Sequence, residues 1–360
     1  MAKNERDVES MEALLSEWDG ESVIIHHDQW TGAWIIIAVH STRLGPAVGG
    51  TRMKSYADLS AALQDALRLA SGMSYKFAAS GLSYGGGKAV LAVPPDFENR
   101  DRPGFLRRYG ALIRKLGGLF LTGPDVGTSS ADMDIIAETG DPYVFSRTSS
   151  AGGAGSPAPF TALGVFTAIQ VTCERLFGDS GLDRRSVLVQ GAGSVGAALI
   201  ELLLAAGAEV MFSEVNDEAV RRFRDEFGLK SIPPEAVYDT ECDILAPCAL
   251  GAILNDRTIP RLKCRAVVGG ANNQLGGSDD AERLQERGVL YAPDFVINIG
   301  GAMAIMGMEN GGWTKQRAET EVTERVRTAL RRVFDLAEDK GITSDVSARH
   351  IAEERLSEGS

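Results

Sequence analysis

The chain has 360 residues, of which 44% are hydrophobic, 24% are charged and 41 are glycine, as expected for a globular protein of two or three domains. Its net charge of −12 and its lack of basic runs exclude a typical nucleic-acid-binding protein, so we expect no nucleic-acid partner. No stretch of 18 apolar residues occurs and the N-terminus lacks an apolar signal core, which predicts a cytoplasmic protein without membrane contact.

The first 150 residues alternate between strand-like and helix-like patterns. β-Branched runs predict strands, and apolar residues at a spacing of three to four predict helices. The predicted elements are strands 22–27 and 33–40, a helix over 58–70 that stops at Ser71-Gly72, a loop over 81–87, a strand at 89–93 and a helix over 104–116.

A Gly/Pro-rich segment at 151–159 is a candidate hinge, and short apolar strands separated by helices follow it. This alternation of short apolar strands and helices is typical of a doubly wound parallel sheet. The predicted elements are helix 160–176, strand Ser186–Gln190, helix 194–206, strand Glu209–Ser213, helix Asp217–Phe227, strands 242–246, 266–269 and 288–292, and C-terminal helices 320–340 and 344–356.

Residues 191–196 form the pattern G-x-G-x-x-G directly after a predicted strand and at the start of a predicted helix. In a dinucleotide site Gly191 permits the tight turn, Gly193 lets the pyrophosphate approach the backbone, and Gly196 lets the helix pack closely. The pyrophosphate would bind at the helix N-terminus, at Ser194 and Val195. The alternative is a glycine turn without a ligand.

Glu214 ends the next predicted strand, about 20 residues beyond the loop, where an acidic side chain binds the adenine ribose. A carboxylate there would repel a 2′-phosphate, so we predict NAD rather than NADP. The alternative is a solvated glutamate at a strand end.

Residues 85–88, Gly-Gly-Gly-Lys, resemble a phosphate-binding loop but do not fit it, because Leu82 and Ala89 stand where that motif has glycine and a hydroxyl residue. Lys76 and Lys88 both lie among apolar residues. Burial and a second ammonium each favour the neutral amine, which can act as a general base. Asp125 is a candidate third partner; the alternative is a pair of ordinary surface lysines.

Four cysteines and four histidines do not form a metal-binding pattern, so we expect no metal: Cys173, Cys242, Cys248 and Cys264, with His26, His27, His40 and His350.

At these motifs the chain resembles the glutamate/leucine/phenylalanine/valine dehydrogenase family, and its length resembles the leucine/phenylalanine branch. The matching stretches run in the family's order over nearly the whole chain: LGPAVGGTRM (44–53), DALRLASGMSYK (65–76), GGGKAV (85–90), TGPDVGT (122–128), SADMD (130–134), CDILAPCALG (242–251), GGANNQL (269–275) and YAPDFVINIGG (291–301).

The resemblance implies an α/β enzyme with two domains around a cleft. Residues 1–150, completed by a C-terminal helix at about 330–360, would carry substrate binding, catalysis and oligomerisation. Residues 151–329 would form a Rossmann-type NAD-binding domain. The expected reaction is reversible oxidative deamination of an L-amino acid to a 2-oxo acid and ammonia, by a homo-oligomer.

The resemblance also implies residue roles. Lys76 would bind the substrate carboxylate with help from the backbone of Gly49 and Gly50, Lys88 would activate water, and Asp125 would transfer protons. Asparagines would orient the amino group and the nicotinamide ribose, and a threonine would contact the nicotinamide amide: Asn272, Asn273, Asn298 and Thr161.

By family position, the pocket for the substrate side chain includes Val48, Gly123, Ala302 and Ile305. All four are uncharged, so a glutamate side chain would be buried unpaired. Small residues at 123 and 302 leave space, which favours phenylalanine over leucine or valine. Two alternatives remain: a leucine or valine dehydrogenase, and a catalytically silent NAD-binding regulatory homologue. Ile299 stands where the family usually has alanine.

Overall fold

The computed structural model describes residues 11–358. Within this range the chain divides into two compact units: unit 1 comprises residues 11–78, 82–155 and 352–358, and unit 2 comprises 79–81 and 156–351. The boundary at 155/156 lies within the predicted hinge, five residues beyond the predicted position. The first ten residues lie outside the described range.

Unit 1 contains a sheet of five strands with helices on both faces. Its elements are α1 Met11–Glu17, β1 Ser22–Asp28, β2 Ala33–Ser41, β3 Ala47–Lys54, α2 Leu59–Ala79, β4 Gly85–Ala92, α3 Arg102–Lys115, β5 Phe120–Pro124 and α4 Ser130–Gly140.

The strand order is β1-β2-β4-β3-β5; β1 and β4 are antiparallel to β2, and β3 is parallel to both β4 and β5. Because successive side chains in a strand point to opposite faces, β2 divides between two cores. Ile36 and Ala38 pack with residues of α2, while Ile35 and Ile37 pack with residues of α3 and α4.

The helix predicted to stop at Ser71-Gly72 continues to Ala79 as α2, so that prediction is wrong. Gly72 is exposed and costs the helix only about 1 kcal/mol relative to alanine. The following turns bury Ser74 and Phe77 completely, which offsets that cost. A side chain on Gly86 would overlap the backbone nitrogen of Ser74, so α2 packs directly on the glycines of β4.

Residues 85–87 belong to β4 and not to a loop, and β3 and β5 were not predicted. The glycine-rich stretches of β3 and β4 lack the β-branched residues that indicate a strand. Pairing with neighbouring strands and burial hold them extended.

Unit 2 contains a six-stranded sheet flanked by helices. Its elements are α5 Ala158–Phe177, β6 Ser186–Gln190, α6 Ser194–Ala205, β7 Glu209–Ser213, α7 Asp217–Phe227, β8 Lys230–Ser231, β9 Cys242–Pro247, β10 Cys264–Val267, α8 Asp280–Glu286, β11 Leu290–Tyr291, α9 Asp294–Ile297, α10 Gly300–Glu309, α11 Lys315–Lys340 and the first part of α12 Ser344–Glu358.

The strand order is β11-β10-β9-β6-β7-β8, and all strands are parallel. In chain order this is the 3-2-1-4-5-6 arrangement of the Rossmann fold, whose ligands bind where the order reverses, here between β6 and β9. The prediction of two α/β domains, one of them Rossmann-type, is confirmed.

The C-terminal part of unit 1 is smaller than predicted, because it begins at residue 352 and not near 330. Helix α11 packs against α5 and α10 of unit 2. It buries a stripe of apolar residues there, including Val326, Leu330 and Val333. Residues 330–351, which were predicted to complete the first domain, therefore group with unit 2.

Between residues 11 and 358, no helix has both the length and the apolar character needed to cross a membrane. The four cysteines are unbridged.

Candidate functional site

Three of the predicted site residues lie side by side on the α2 face of the unit 1 sheet. The register that pairs Val48 with Gly86 sets Gly50 beside Lys88, and Gly50 pairs in turn with Gly123 of β5. Neighbouring residues in register point to the same face. The strands therefore present a lysine next to two positions without side chains.

Lys88 is buried, and its amine forms an ion pair with Asp125, with 2.7 Å between Nζ and Oδ2. The same amine lies 3.4 Å from the position that a Cβ on Gly50 would take. Burial lowers the pKa of Lys88 below its ordinary value, and Asp125 opposes this shift without cancelling it. A lysine in this state can exchange protons nearer to neutral pH than an exposed one.

Asp125 follows β5 and also receives a hydrogen bond from Arg52, with 2.9 Å between Nε and Oδ2. Burial alone would raise the pKa of Asp125, but Lys88 and then Arg52 lower it below its ordinary value. Asp125 is therefore a carboxylate at neutral pH, so its part in any proton transfer begins with accepting a proton.

Arg52 and Asp65 belong to this cluster and were not predicted. Arg52 donates from Nη1 to Asp65 Oδ2 at 3.0 Å. Strand alternation was the available signal for Arg52, since it shares a strand face with Gly50. The spacing of 11 residues from Lys76, about three helical turns, was the signal for Asp65.

Lys76 lies in the last turns of α2, half-buried, on the helix that covers the face carrying Lys88. Gly49 and Gly50 lie in the middle of β3. A side chain on Gly49 would overlap the carbonyl oxygen of Gly87, so glycine is needed there for strand packing alone.

The space that the sequence assigned to the substrate at Gly123 is already filled. The ring of Phe145 lies where a side chain on Gly123 would extend, and Phe145 is itself buried. The backbone nitrogen of Phe145 donates to the carbonyl oxygen of Thr122 at 2.9 Å, which fixes the ring beside β5. The argument that Gly123 leaves room for a bulky substrate is therefore wrong. Val48 is also enclosed, at 1% exposure.

In unit 2 the glycine pattern forms the turn between β6 and α6. Gly191 has φ +93°, a conformation that favours glycine, and a side chain on Gly196 would overlap the carbonyl oxygen of Gly191. Gly193 has no atom within 4 Å of the position of a Cβ. Helix α6 begins at Ser194, followed by Val195, and no side chain caps its first amides.

Glu214 stands at the end of β7 and accepts three backbone hydrogen bonds, from the amides of Ala192, Val215 and Asn216 at 2.7–2.9 Å. Burial would raise the pKa of Glu214, but these amides lower it below its ordinary value. The carboxylate thus carries a negative charge and is bound to the glycine turn itself.

Two of the three predicted asparagines of unit 2 are hydrogen-bonded to each other. Asn298 Nδ2 donates to Asn272 Oδ1 at 2.8 Å, and Asn298 is buried. Its Oδ1 has no hydrogen-bond partner among the described residues. Asn273, next to Asn272, is exposed and has φ +52°.

Thr161 lies at the start of α5, where its hydroxyl donates to the carbonyl oxygen of Pro157 at 3.2 Å and occupies the space beside Gly301. Ala302, the next residue, is half-buried. Ile305 and the unusual Ile299 are fully buried, so neither presents surface to solvent.

These features fit a nicotinamide dinucleotide in unit 2. A diphosphate needs a backbone it can approach closely and unpaired amides at a helix N-terminus, and Gly193 and the start of α6 provide both. The unpartnered Oδ1 of Asn298 can accept one more hydrogen bond, as a ribose hydroxyl or an amino group would donate.

Two family models match the chain. The "Glu/Leu/Phe/Val dehydrogenase, dimerisation domain" matches residues 26–141, and "Glutamate/Leucine/Phenylalanine/Valine dehydrogenase" matches residues 211–359. Among curated proteins, leucine dehydrogenase of Thermoactinomyces intermedius is 42% identical, covering 95% of this chain and 92% of that protein. Valine dehydrogenase of Streptomyces albus is 40% identical, covering 94% and 92%.

Among solved structures, L-tryptophan dehydrogenase from Nostoc punctiforme is 36% identical with a TM-score of 0.84, covering 96% of this chain and 98% of that one. These similarities extend over nearly the whole chain and confirm the resemblance seen in the sequence motifs. The chain therefore belongs to the glutamate/leucine/phenylalanine/valine dehydrogenase family, in its leucine/phenylalanine branch, and is an amino-acid dehydrogenase that uses a nicotinamide dinucleotide.

Proposed function

We propose that the protein catalyses the reversible, NAD-dependent oxidative deamination of an apolar L-amino acid to the 2-oxo acid and ammonia. The observation that carries this proposal is the buried ion pair of Lys88 and Asp125 beside Gly50. A proton-exchanging lysine next to a glycine on the adjacent strand leaves a reactant room to reach the amine.

In unit 1, Lys76 binds the substrate carboxylate, and the backbone of Gly49 and Gly50 supports it. Any side chain at Gly50 would approach both the Cβ of Asp125, at 2.9 Å, and the Lys88 amine. Glycine at this position therefore keeps the surface beside the amine open.

The proton transfers are assigned to Lys88 and Asp125. Asp125 accepts a proton from the substrate ammonium, which leaves a neutral amine able to form an imine. The glycine turn, Thr161 and the asparagines 272, 273 and 298 would hold a nicotinamide dinucleotide, which would supply the acceptor for the hydride from the substrate Cα.

Lys88 in its neutral form then takes a proton from water, which adds to the iminium carbon. The proton held by Asp125 returns to the nitrogen, the hydroxyl proton of the adduct follows it as the C–N bond breaks, and ammonium leaves with the 2-oxo acid. One water is consumed and one proton is released in the overall deamination.

The substrate side chain is proposed to be apolar. Val48, Ala302 and Ile305 are uncharged, and so is Phe145, which covers Gly123. A substrate carboxylate buried among them unpaired would cost several kcal/mol. Relatives are named for leucine, valine and tryptophan, which supports the class. Phenylalanine remains our predicted substrate, and leucine and valine remain the alternatives; the size argument now depends on Ala302.

The cofactor is proposed to be NAD, because the charged Glu214 at the end of β7 would repel the 2′-phosphate of NADP. We further propose a cytoplasmic homo-oligomer; the match of residues 26–141 to a dimerisation domain supports the assembly.

The test is a panel of L-amino acids, assayed for reduced dinucleotide with NAD and with NADP, with kcat/KM for each. We expect turnover of phenylalanine, leucine or valine with NAD, and at least about 100-fold less with glutamate, which lacks a partner for its charge. Binding of NAD without turnover of any amino acid would support a catalytically silent homologue instead.

A further inference from the structure

The Lys88–Asp125 pair is part of a longer chain of charges in unit 1 that the reaction above does not use. One oxygen of Asp125, Oδ2, contacts both the Lys88 amine at 2.7 Å and Arg52 Nε at 2.9 Å. Asp125 therefore has two cations, and only one of them can lose its proton near neutral pH, since a guanidinium stays charged.

Arg52 is itself anchored on α2. Its Nη1 donates to Asp65, whose carboxylate also accepts from Tyr56 at 2.7 Å and from Arg68 at 2.8 Å. Burial raises the pKa of Asp65, but these donors together lower it to about 2, so Asp65 is charged over the whole working range. Lys54 Nζ adds a further positive charge 3.8 Å away.

This arrangement addresses a problem in the proposed mechanism. When Lys88 becomes neutral, the largely buried Asp125 carboxylate loses its ion-pair partner, and a buried charge without a partner is strongly unfavourable. A second, permanently charged donor on the same oxygen removes that penalty. The charged groups that act most strongly on Lys88 are Asp125 after β5, Arg52 on β3 and Asp65 on α2.

We propose that Arg52, anchored by Asp65, is a positioning residue of the reaction: it holds Asp125 against Lys88 and remains its cation while Lys88 gives up its proton. The fork of the guanidinium suits this role, because one arm binds Asp125 and the other binds Asp65. The positive charge of Arg52 also favours the neutral form of Lys88. This inference rests on the proposed function.

The decisive variant is R52Q, which removes the charge and keeps much of the side chain. We expect kcat to fall about 10-fold or more. We also expect the acidic limb of the kcat/KM profile to move to higher pH by about one unit, because Lys88 then holds its proton more tightly as the sole cation of Asp125. R52K keeps the charge but cannot form the fork, so its pH profile should stay near that of the parent while kcat falls.

The matched control is R108Q, which removes another partly buried Arg–Asp pair of unit 1, Arg108 Nε to Asp28 Oδ1 at 2.6 Å. It should lower the melting temperature without moving the pH profile. D65N removes the anchor while leaving Arg52 charged, and it should lower kcat as well.

A readout independent of turnover is the reactivity of Lys88 toward acetic anhydride as a function of pH, followed by mass spectrometry of the peptide. We expect the midpoint of labelling to rise in R52Q and not in R108Q. A folded R52Q with the labelling midpoint and kcat of the parent overturns the proposal, and so does loss of activity with an unmoved pH profile. If R52Q does not fold, R52K decides, and a parental kcat in R52K overturns the role of the fork. Failure of the parent enzyme in the amino-acid panel would instead overturn the proposed function.

Discussion

The Lys88 amine combines two properties: it is almost fully buried, and its neighbour on the adjacent strand, Gly50, has no side chain. Burial favours the neutral amine, while the missing side chain leaves space for a reactant. Asp125 keeps the amine in a fixed position. The same lysine on an exposed strand would remain protonated and hydrated at neutral pH.

Replacing Lys88 with alanine should lower kcat by about 100-fold to 10,000-fold, the usual contribution of a general base. Dinucleotide binding should persist, because the glycine turn lies in unit 2. In the parent enzyme, kcat/KM should fall as the pH drops through the lowered pKa of Lys88, because the protonated amine cannot accept a proton. Steady-state kinetics over a pH series and fluorescence titration with NADH measure both effects. The exposed Lys115 on α3 provides the control K115A; turnover of K88A at the rate of K115A would remove Lys88 from its role.

Phe145 fills the space beside Gly123, where the proposed function places the substrate side chain, and should therefore limit the size of a substrate at that point. In F145A we expect kcat/KM for phenylalanine and tryptophan to rise relative to valine by about 10-fold, as for other changes of pocket volume. The control is F97A, another buried phenylalanine of unit 1, which packs on Phe105 with 5.5 Å between ring centroids. F97A should lose stability without changing the substrate ratio. An unchanged ratio in folded F145A would show that Phe145 does not limit substrate size.

Site residues that lie in a recognisable sequence motif could be predicted from the sequence. Residues that reach the site only through contacts made in the folded chain could not. Lys88 and Asp125 were predicted, and the structure brings them to 2.7 Å. Arg52 and Phe145 were missed, because their contacts join segments more than 20 residues apart. Asp65 was missed for a different reason: its contact with Arg52 joins a helix to a strand 13 residues away, and only its helical spacing from Lys76 indicated it.

At the scale of elements, α2 and β4 each contain a glycine, and the two have opposite requirements. Gly86 is needed because any side chain would overlap the backbone of Ser74, whereas Gly72 is exposed with no atom near its Cβ position. We expect G86A to lower the free energy of unfolding by about 1–3 kcal/mol through overpacking. G72A should raise it by about 0.5–1 kcal/mol by restricting the unfolded chain. Urea titrations of both variants provide the measurement, and a G86A protein as stable as the parent would contradict this packing.

Elements were predicted well where a short apolar run is bounded by turn residues. In unit 2 the bounds of β6, β7 and α7 match the prediction, because buried parallel strands are apolar along their whole length. In unit 1, β3 and the first residues of β4 were not predicted. Their glycines allow close packing of the backbone, and glycine does not contribute to an alternating pattern of apolar residues. Helix α2 was ended too early because a local helix breaker was outweighed by burial of the following turns.

At the scale of the molecule, each unit has its own hydrophobic core, and the division follows a Gly/Pro-rich segment visible in the sequence. The all-parallel sheet of unit 2 was predicted from the alternation of strands and helices. The mixed sheet of unit 1 was not predicted in detail, because the pairing of β3 between β4 and β5 joins distant segments. The packing of α11 on α5, which groups residues 330–351 with unit 2, is also non-local.

The proposed homo-oligomer makes a simple prediction for the purified protein. Its mass by static light scattering should be an integer multiple of the chain mass of 38.4 kDa, and at least twice that value. A weak assembly should dissociate when the protein is diluted, whereas a stable one should keep its mass. A mass of 38.4 kDa at all accessible concentrations would contradict the proposal.

The hydrogen bonds of Glu214 have a consequence for engineering this enzyme. Glu214 is expected to discriminate between NAD and NADP. It also stabilises the glycine turn between β6 and α6, because it accepts a hydrogen bond from the amide of Ala192. A substitution of Glu214 designed to admit a 2′-phosphate would therefore destabilise the glycine turn at the same time. Redesign of coenzyme preference should start with compensating changes in the residues around that turn, and only then remove the carboxylate.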